Sequence, residues 1–338
     1  MSQFRVNNIT NKGGDGGPVI AGVSTVASND FMVIPSGNTE IRGAGSGRGA
    51  FARGSNPSSF LNTIDYVTIA STGNAIDFGD SSQADHFPQS CASSTRGVMM
   101  GGGGNPAEIS LIEYVAMSSK GGAYDFGDLR LSWYAGSGFS NSTRGIIGGG
   151  QSAPSVYNTF ADYITIATRG SSSFFGNMTA RANMNQLSSA ASPTRGLFAG
   201  GVNSNIIEYV TIATFGDFID FGDLTIEKWM GDGGFSSRTR ALFAGGYATP
   251  ALRSSIDYVT IATLGNAQDF GDLTDARQQL ASTSSSTRGV VAGGEAPGIS
   301  NIIDFVTIAT IGNAKDFGDL TAARRGFIGF SDVHGGIE

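Results

Sequence analysis

Apolar and polar residues alternate in short runs along this chain, and the runs recur. Asp257 to Thr263 reads DYVTIAT, with near copies at Asp65 (DYVTIAS), Asp162 (DYITIAT), Glu208 (EYVTIAT) and Asp304 (DFVTIAT) and a weaker one at Glu113 (EYVAMSS). β-Branched and aromatic residues bounded by Gly, Asn and Ser turns predict a strand. Both faces of the word carry apolar or small groups, with Tyr258, Thr260 and Ala262 on one side and Val259 and Ile261 on the other. That pattern predicts burial on both faces, as in a sheet lying between neighbouring sheets.

Each word belongs to a larger unit. Arginines at Arg48, Arg96, Arg144, Arg195, Arg240 and Arg288 are spaced 48, 48, 51, 45 and 48 residues apart, and each precedes an apolar run ending in small residues, such as GLFAGG. A variable polar loop, the DYVTIAT word, a short turn and a DFGD motif follow. The motif stands at Asp77, Asp125, Asp220, Asp269 and Asp316, while the third copy reads FFGN from Phe174 to Asn177. A Ser/Thr-rich stretch then leads to the next arginine. Four short strands in each unit of about 50 residues describe a propeller blade. Helical solenoids need a 3.6-residue period, which is absent here.

The two ends of the repeat complement each other. The first unit, at Arg48, has no Ser/Thr-rich strand before it, and the last runs on into TAARRGFIGFSDVHGGIE. Pairing the surplus strand with the first unit closes a ring and removes open sheet edges. The alternative is a seventh, partial blade from Arg325 to Gly336. The predicted fold is all-β: a six-bladed β-propeller of four-stranded blades over residues 48–338, preceded by an extended arm, residues 1–47. The arm carries two apolar runs, Val19 to Val23 and Phe31 to Ile34, which other chains are expected to cover.

Composition narrows the function classes. Glycine contributes 51 of 338 residues, roughly twice the usual share, without a collagen period. A net charge of −7 argues against nucleic acid, which requires a basic field. The single cysteine, Cys91, excludes an intrachain disulfide and a cysteine-rich zinc site. Only two histidines occur, His86 and His334. No apolar run approaches the ~18 residues of a membrane span, and the N-terminus lacks the apolar core of a secretory signal.

The repeated acids invite chemical readings. DFGD resembles the magnesium-binding triplet of protein kinases, but five copies stand without a catalytic or phosphate loop. Glycoside hydrolysis needs only two carboxylates, yet those carboxylates must have unequal roles and unequal pKa values. Acids common to every unit serve the unit instead. No catalytic, cofactor-binding or metal residue is therefore assigned. A calcium-binding ring of aspartates is the alternative, though no loop shows dense alternating carboxylates. The repeated arginines are expected to pair with acids in bidentate, partly buried ion pairs. The third unit loses both DFGD acids but keeps Arg144, so the expected partner is the acid before the aromatic: Asp65, Glu113, Asp162, Glu208, Asp257 and Asp304.

The Thr-Arg-Gly-apolar-Ala-Gly-Gly unit, the IDYVTIAT word and the DFGDL turn together resemble the kelch-like repeats of virion structural proteins in marine tailed phages, notably cyanophages. The N-terminal VNNITNKGGDGGPVIAGVSTV and FMVIPSGNTEIRG look like the leader of those proteins. The resemblance spans essentially the whole chain. It implies a component of the tail or its fibres, located in the virion and assembled in the host cytoplasm, with no catalytic residue carried over. The usual kelch tryptophan is missing: Trp133 and Trp229 occur only in the second and fourth units. Expected partners are other tail proteins and further copies of this chain through the arm. The variable loops, such as GQSAPSVYNTF, are expected to meet a host-surface protein or glycan. The competing classes are a glycan-cleaving propeller enzyme and a cellular kelch-type interaction module.

Overall fold

The computed structural model describes residues 47–104, 107–153, 156–179 and 184–337, together with the antiparallel strand pair Val26–Ser28 and Phe31–Val33. The chain divides into two compact units, Met1–Gly43 and Ala44–Glu338. The expectations for the arm otherwise fall outside the described residues.

Residues from 47 onward form six four-stranded antiparallel blades arranged as a β-propeller, with no helix among the described residues. Blade four is representative. Its innermost strand is Leu187–Ala191, its second Arg195–Gly200, its third Ile206–Thr211 and its outermost Ile219–Asp223. Blades are numbered here by the arginine that opens the second strand, from Arg48 in blade one to Arg288 in blade six. The innermost strands neighbour one another in sequence order around the axis, and the last meets the first. Blade one takes its innermost strand from the C-terminus: Ile328–Ser331 pairs antiparallel with Arg48–Ala52. The surplus strand thus closes the ring, and no seventh blade forms.

The hydrophobic core is distributed as wedges between blades. Phe139 of blade three, for example, packs with Phe198, Val210 and Ile212 of blade four. Narrow radial spacing explains the glycine that follows most of the repeat arginines. A Cβ on Gly97, Gly145, Gly196 or Gly289 would overlap Phe330, Cys91, Phe139 or Phe235, each on the innermost strand of the preceding blade. Blade five instead carries Ala241, and there the preceding innermost strand offers the small Ala190, packed in the same cluster.

The double glycine ending the second strand has a different cause. Gly245 and Gly246, at φ 63° and 111°, turn the chain out of the strand. The second of them donates its N–H to Arg277 O at 2.7 Å, in the linker to the next blade. Two consecutive residues at positive φ favour glycine.

DYVTIAT forms the third strand of its blade, but its two faces differ. Val259 and Ile261 are buried, whereas Tyr258 is half-buried and Thr260 and Ala262 are exposed. The expectation of burial on both faces fails at the outer end of the word. Blades splay apart away from the axis, so the gap there exceeds what small side chains can fill, and the Arg240 guanidinium covers the ring of Tyr258 at 5.0 Å.

The DFGD motif joins neighbouring blades. Its phenylalanine is buried, as at Phe221 and Phe270. Its backbone receives the next blade's turn: Gly265 N donates to Phe221 O at 2.9 Å and Ala267 N to Asp223 O at 2.7 Å. A Cβ on Gly222 would overlap the backbone of Gly265. Gly73 and Ala75 make the same bonds to Phe317 and Asp319, so the joint also spans blades six and one.

Candidate functional site

The expected ion pairs between the repeat arginines and the acids before the aromatics are not formed. Arg48, Arg96, Arg144, Arg195, Arg240 and Arg288 open the second strands, where Arg240 faces Thr260 and Asp257 faces Phe243. Three residues of strand separate the two groups, about 10 Å at the usual rise. Each guanidinium instead crosses to the next blade and donates to backbone carbonyls at the end of its DYVTIAT word. Arg48 reaches Met117 O at 2.8 Å, Arg96 reaches Ile166 O at 2.8 Å and Arg144 reaches Ile212 O at 2.6 Å. Arg195 reaches Ile261 O at 3.0 Å, Arg240 reaches Ile308 O at 3.0 Å, and Arg288 closes the circuit on Ile69 O at 2.9 Å. Every one also lies over the third-strand aromatic of its own blade, between 4.5 Å (Arg288 over Phe305) and 5.1 Å (Arg48 over Tyr66). Positive charge therefore staples each blade to the next at six equivalent joints.

The acids before the aromatics are buried, and other cations meet most of them. Arg277 and Arg324, fully buried in the linkers leading to the innermost strands, pair with Asp304 at 2.6 Å and Asp65 at 3.0 Å. Lys228 takes the same slot against Asp257 at 3.2 Å. Trp133 fills that slot before blade three, and Arg130, three residues earlier, pairs with Asp162 at 2.9 Å. In blade two, Arg53 joins Glu113 at 2.5 Å and Asp85 at 2.7 Å. Glu208 accepts the N–H of Thr179 at 2.8 Å. Burial pushes the pKa values of Arg277, Arg324 and Lys228 down and that of Asp304 up, while the opposite charge beside each works against the shift. The sequence signal for these cations was the Arg or Lys four residues after the leucine of DFGDL, at Lys228, Arg277 and Arg324.

All these charges hold blades together; a surface for a partner must be sought elsewhere. Antiparallel topology sends the loops between second and third strands, and the linkers into the innermost strands, to one common face. There each linker carries a residue at positive φ: Phe87, Ala135, Gln186, Gly231, Gln279 and Gly326, between 51° and 70°. Their backbones ring the channel mouth, with Phe87 N donating to Gly326 O at 2.6 Å, Ala135 N to Phe87 O at 2.8 Å, Gln186 N to Ala135 O at 2.8 Å and Gly326 N to Gln279 O at 2.9 Å. Gly231 meets Leu280 in a short parallel pairing.

One position of this ring varies completely. It is occupied by Arg325, His86, Tyr134, Asn185, Trp229 and Gln278, six different side chains, all half-buried. Five of them are fixed by reciprocal backbone bonds to the loop of their blade, as between His86 and Gly103 or Trp229 and Tyr247. His86 stacks on Phe60 with centroids 4.5 Å apart, and Trp229 lies 5.5 Å from Tyr247. Burial lowers the His86 pKa, so its imidazole is neutral at pH 7. Arg325 pairs with Glu295 beside it. No reading of the sequence picked out these residues, because register around the ring, which the sequence does not print, is what makes them equivalent.

At the other end the channel is closed by the C-terminus. His334 Nε2 lies 3.1 Å from Ala92 O and 3.3 Å from Ser140 Oγ, and burial lowers its pKa to about 4. Between the ends, Ser90, Ser189 and Ser282 donate their hydroxyls to Gly329 O, Gly138 O and Gly234 O at 2.6–2.9 Å. Serine and glycine thus alternate around the axis. The cavity left is about 60 Å³.

No family model and no curated protein matches the chain.

Proposed function

We propose that this protein is a structural component of a tailed-phage particle, in the tail or its fibres, whose rigid propeller serves as an adaptor or host-surface binding module. The particle assignment rests on the resemblance of the repeat words. The binding role rests on one observation: six different, half-exposed side chains occupy one equivalent position around the channel mouth, five of them on the same pair of reciprocal backbone bonds. Diversity on a fixed frame is how binding surfaces are built. In this reading residues 1–47 contact other tail proteins and further copies of the chain, and the protein resides in the virion.

The test has two parts. Antibody against the chain should label purified particles at the tail, and particles carrying His86→Ala, Tyr134→Ala and Trp229→Ala together should assemble normally but adsorb to host cells at least ~10-fold more slowly. Absence of the protein from purified particles would overturn the particle assignment, and unchanged adsorption would overturn a host-binding role for the mouth. Release of new reducing ends from host polysaccharide would instead establish a glycan-cleaving enzyme.

A further inference from the structure

The joint between blades three and four departs from the other joints in both of the repeats that meet there. On blade three, Phe174 stands where other blades place Asp77, Asp125, Asp220, Asp269 and Asp316. On blade four, the turn after the third strand carries the aromatic Phe215, where the other blades carry Thr72, Lys120, Arg169, Leu264 and Ile311. A third exchange is reciprocal. At three other joints an amide on the turn caps an aspartate N–H: Asn266 Oδ1 accepts from Asp223 N, Asn313 Oδ1 from Asp272 N and Asn74 Oδ1 from Asp319 N, all at 3.1 Å. Here acid and amide have changed places: Asp217 Oδ1 accepts from Asn177 N at 2.8 Å and from Asn177 Nδ2 at 3.1 Å. The bond survives the exchange, and the carboxylate moves onto the turn.

Together these changes shape an open cleft of about 430 Å³, lined by Phe174, Phe215, Tyr163, Phe175 and Asp217 over the bare backbone of Gly176 and Gly216. Phe174 and Phe215 are 48% and 59% exposed. Packing holds them in place from behind. Phe215 meets Tyr163 with centroids 5.0 Å apart at 60°, and the Arg144 guanidinium lies 4.8 Å from its ring. The Arg130 guanidinium lies 5.7 Å from Phe174.

Size and chemistry select the occupant. The cleft falls within the ~300–1,000 Å³ of small-ligand sites. Its apolar surface is confined to a few aromatic rings, far below the ~800 Å² per partner of a stable protein interface. The cations beside it already lie against the rings, and Asp217 discourages an anion. What remains is a small neutral group with an apolar face for the phenyl rings and edge hydroxyls for the Asp217 carboxylate and the Asn177 amide. We propose that this cleft binds one pyranose ring of a neutral saccharide, its axial C–H face on Phe174 and Phe215 and its hydroxyls on Asp217 and Asn177. The site uses the turn between third and outermost strands, at the end of the blade opposite the channel mouth. It therefore stands or falls independently of the role given to the mouth.

The experiment is ligand-detected saturation-transfer NMR on the full chain, with methyl glycosides of glucose, galactose, mannose and N-acetylglucosamine as probes at millimolar concentration. Transfer to at least one is expected, strongest at the axial protons of one ring face. Phe174→Asp with Phe215→Leu restores residues that other joints carry at these positions, so folding should survive. Affinity should fall at least ~10-fold in this variant. The exposed Asp217→Ala variant should weaken binding several-fold, whereas Leu264→Ala, at the same turn position of a different joint and 58% exposed, should leave it unchanged. No transfer to any of the four glycosides, or transfer that persists in the double variant, would overturn the proposal. A fall in solution mass caused by the double variant would also overturn it, assigning the cleft to a second copy of the chain.

Discussion

Arg195 and Arg277 hold the ring together by different physics. The Arg195 guanidinium is partly exposed and donates to carbonyls of the next blade, so its loss leaves acceptors that water can reach. Arg277 is fully buried against Asp304, so its loss strands a carboxylate in the interior. Arg195→Ala should cost about 1–3 kcal/mol and Arg277→Ala about 3–5 kcal/mol, ranked by urea midpoints under identical conditions. The reverse order would mean that the buried pair contributes less than the surface staple. A second residue-scale expectation concerns Asp85, whose carboxyl is raised to about 7, first by burial and also by the charge of Glu113, against the lowering effect of Arg53. The folded state therefore holds a proton that the unfolded chain releases near pH 4. Its stabilising contribution is complete below about pH 4 and lost as pH rises through about 7. Relative to Asp85→Asn, the parent should lose on the order of a few kcal/mol between those limits, at ~1.4 kcal/mol per unit. Parallel stability–pH curves for the two proteins would refute this.

At the scale of the element, the glycine after each repeat arginine is matched to its neighbour across the joint. Gly196 faces Phe139, and the only alanine in the series, Ala241, faces Ala190. Gly196→Ala alone should cost about 1–3 kcal/mol through overpacking. In a Phe139→Ala background the same change should be nearly neutral, because it recreates the natural Ala190–Ala241 pair. A double-mutant cycle measures the coupling, and additivity would show that the joint relaxes instead. The strands themselves were legible in the sequence, since six copies of one apolar word fix period and place. The complementary ends, Arg48 onward and the run through Phe330, also announced the closing strand. Less legible was the partner of each arginine. Its acceptors are backbone carbonyls such as Ile261 O, which no side-chain pattern records, and its true neighbour lies one blade on. The acids found their cations in linkers whose slot is shared by Lys228, Arg277 and Arg324 but held by Trp133 in one blade, which obscures the pattern. The mouth residues were less legible still, because Asn185 and Trp229 share nothing but position.

On the scale of the whole molecule, closure by the C-terminus joins every blade to its neighbours and also seals the axis. Phe330 fills the space beside Gly97, and Gly329 accepts the Ser90 hydroxyl, so the closing strand is locked to blade two as well as to blade one. Beyond it, His334 reaches Ala92 and Ser140 of blades two and three, and Gly335 abuts Ser237 of blade five. The cap thus spans the channel end, bonded to blades two and three and packed against blade five. Its imidazole is kept neutral by burial, with a pKa lowered to about 4 from an ordinary value of 6.5. For a histidine shifted downward, the stabilising contribution is complete above the unfolded value, here about 6.5, and is lost as pH falls toward about 4. A chain ending at Ser331 keeps all six blades but lacks this cap. It should begin less stable at pH 7 and converge on the full chain under acid, losing a difference on the order of 3 kcal/mol across that window. A chain ending at Asp319 lacks the closing strand as well, exposes the edge of Arg48–Ala52 and should associate through it. Calorimetry from pH 7 to 4 and sedimentation of the three chains separate the two effects. If the chain ending at Ser331 kept a constant stability difference at every pH, the cap would contribute packing alone and His334 would not sense acid.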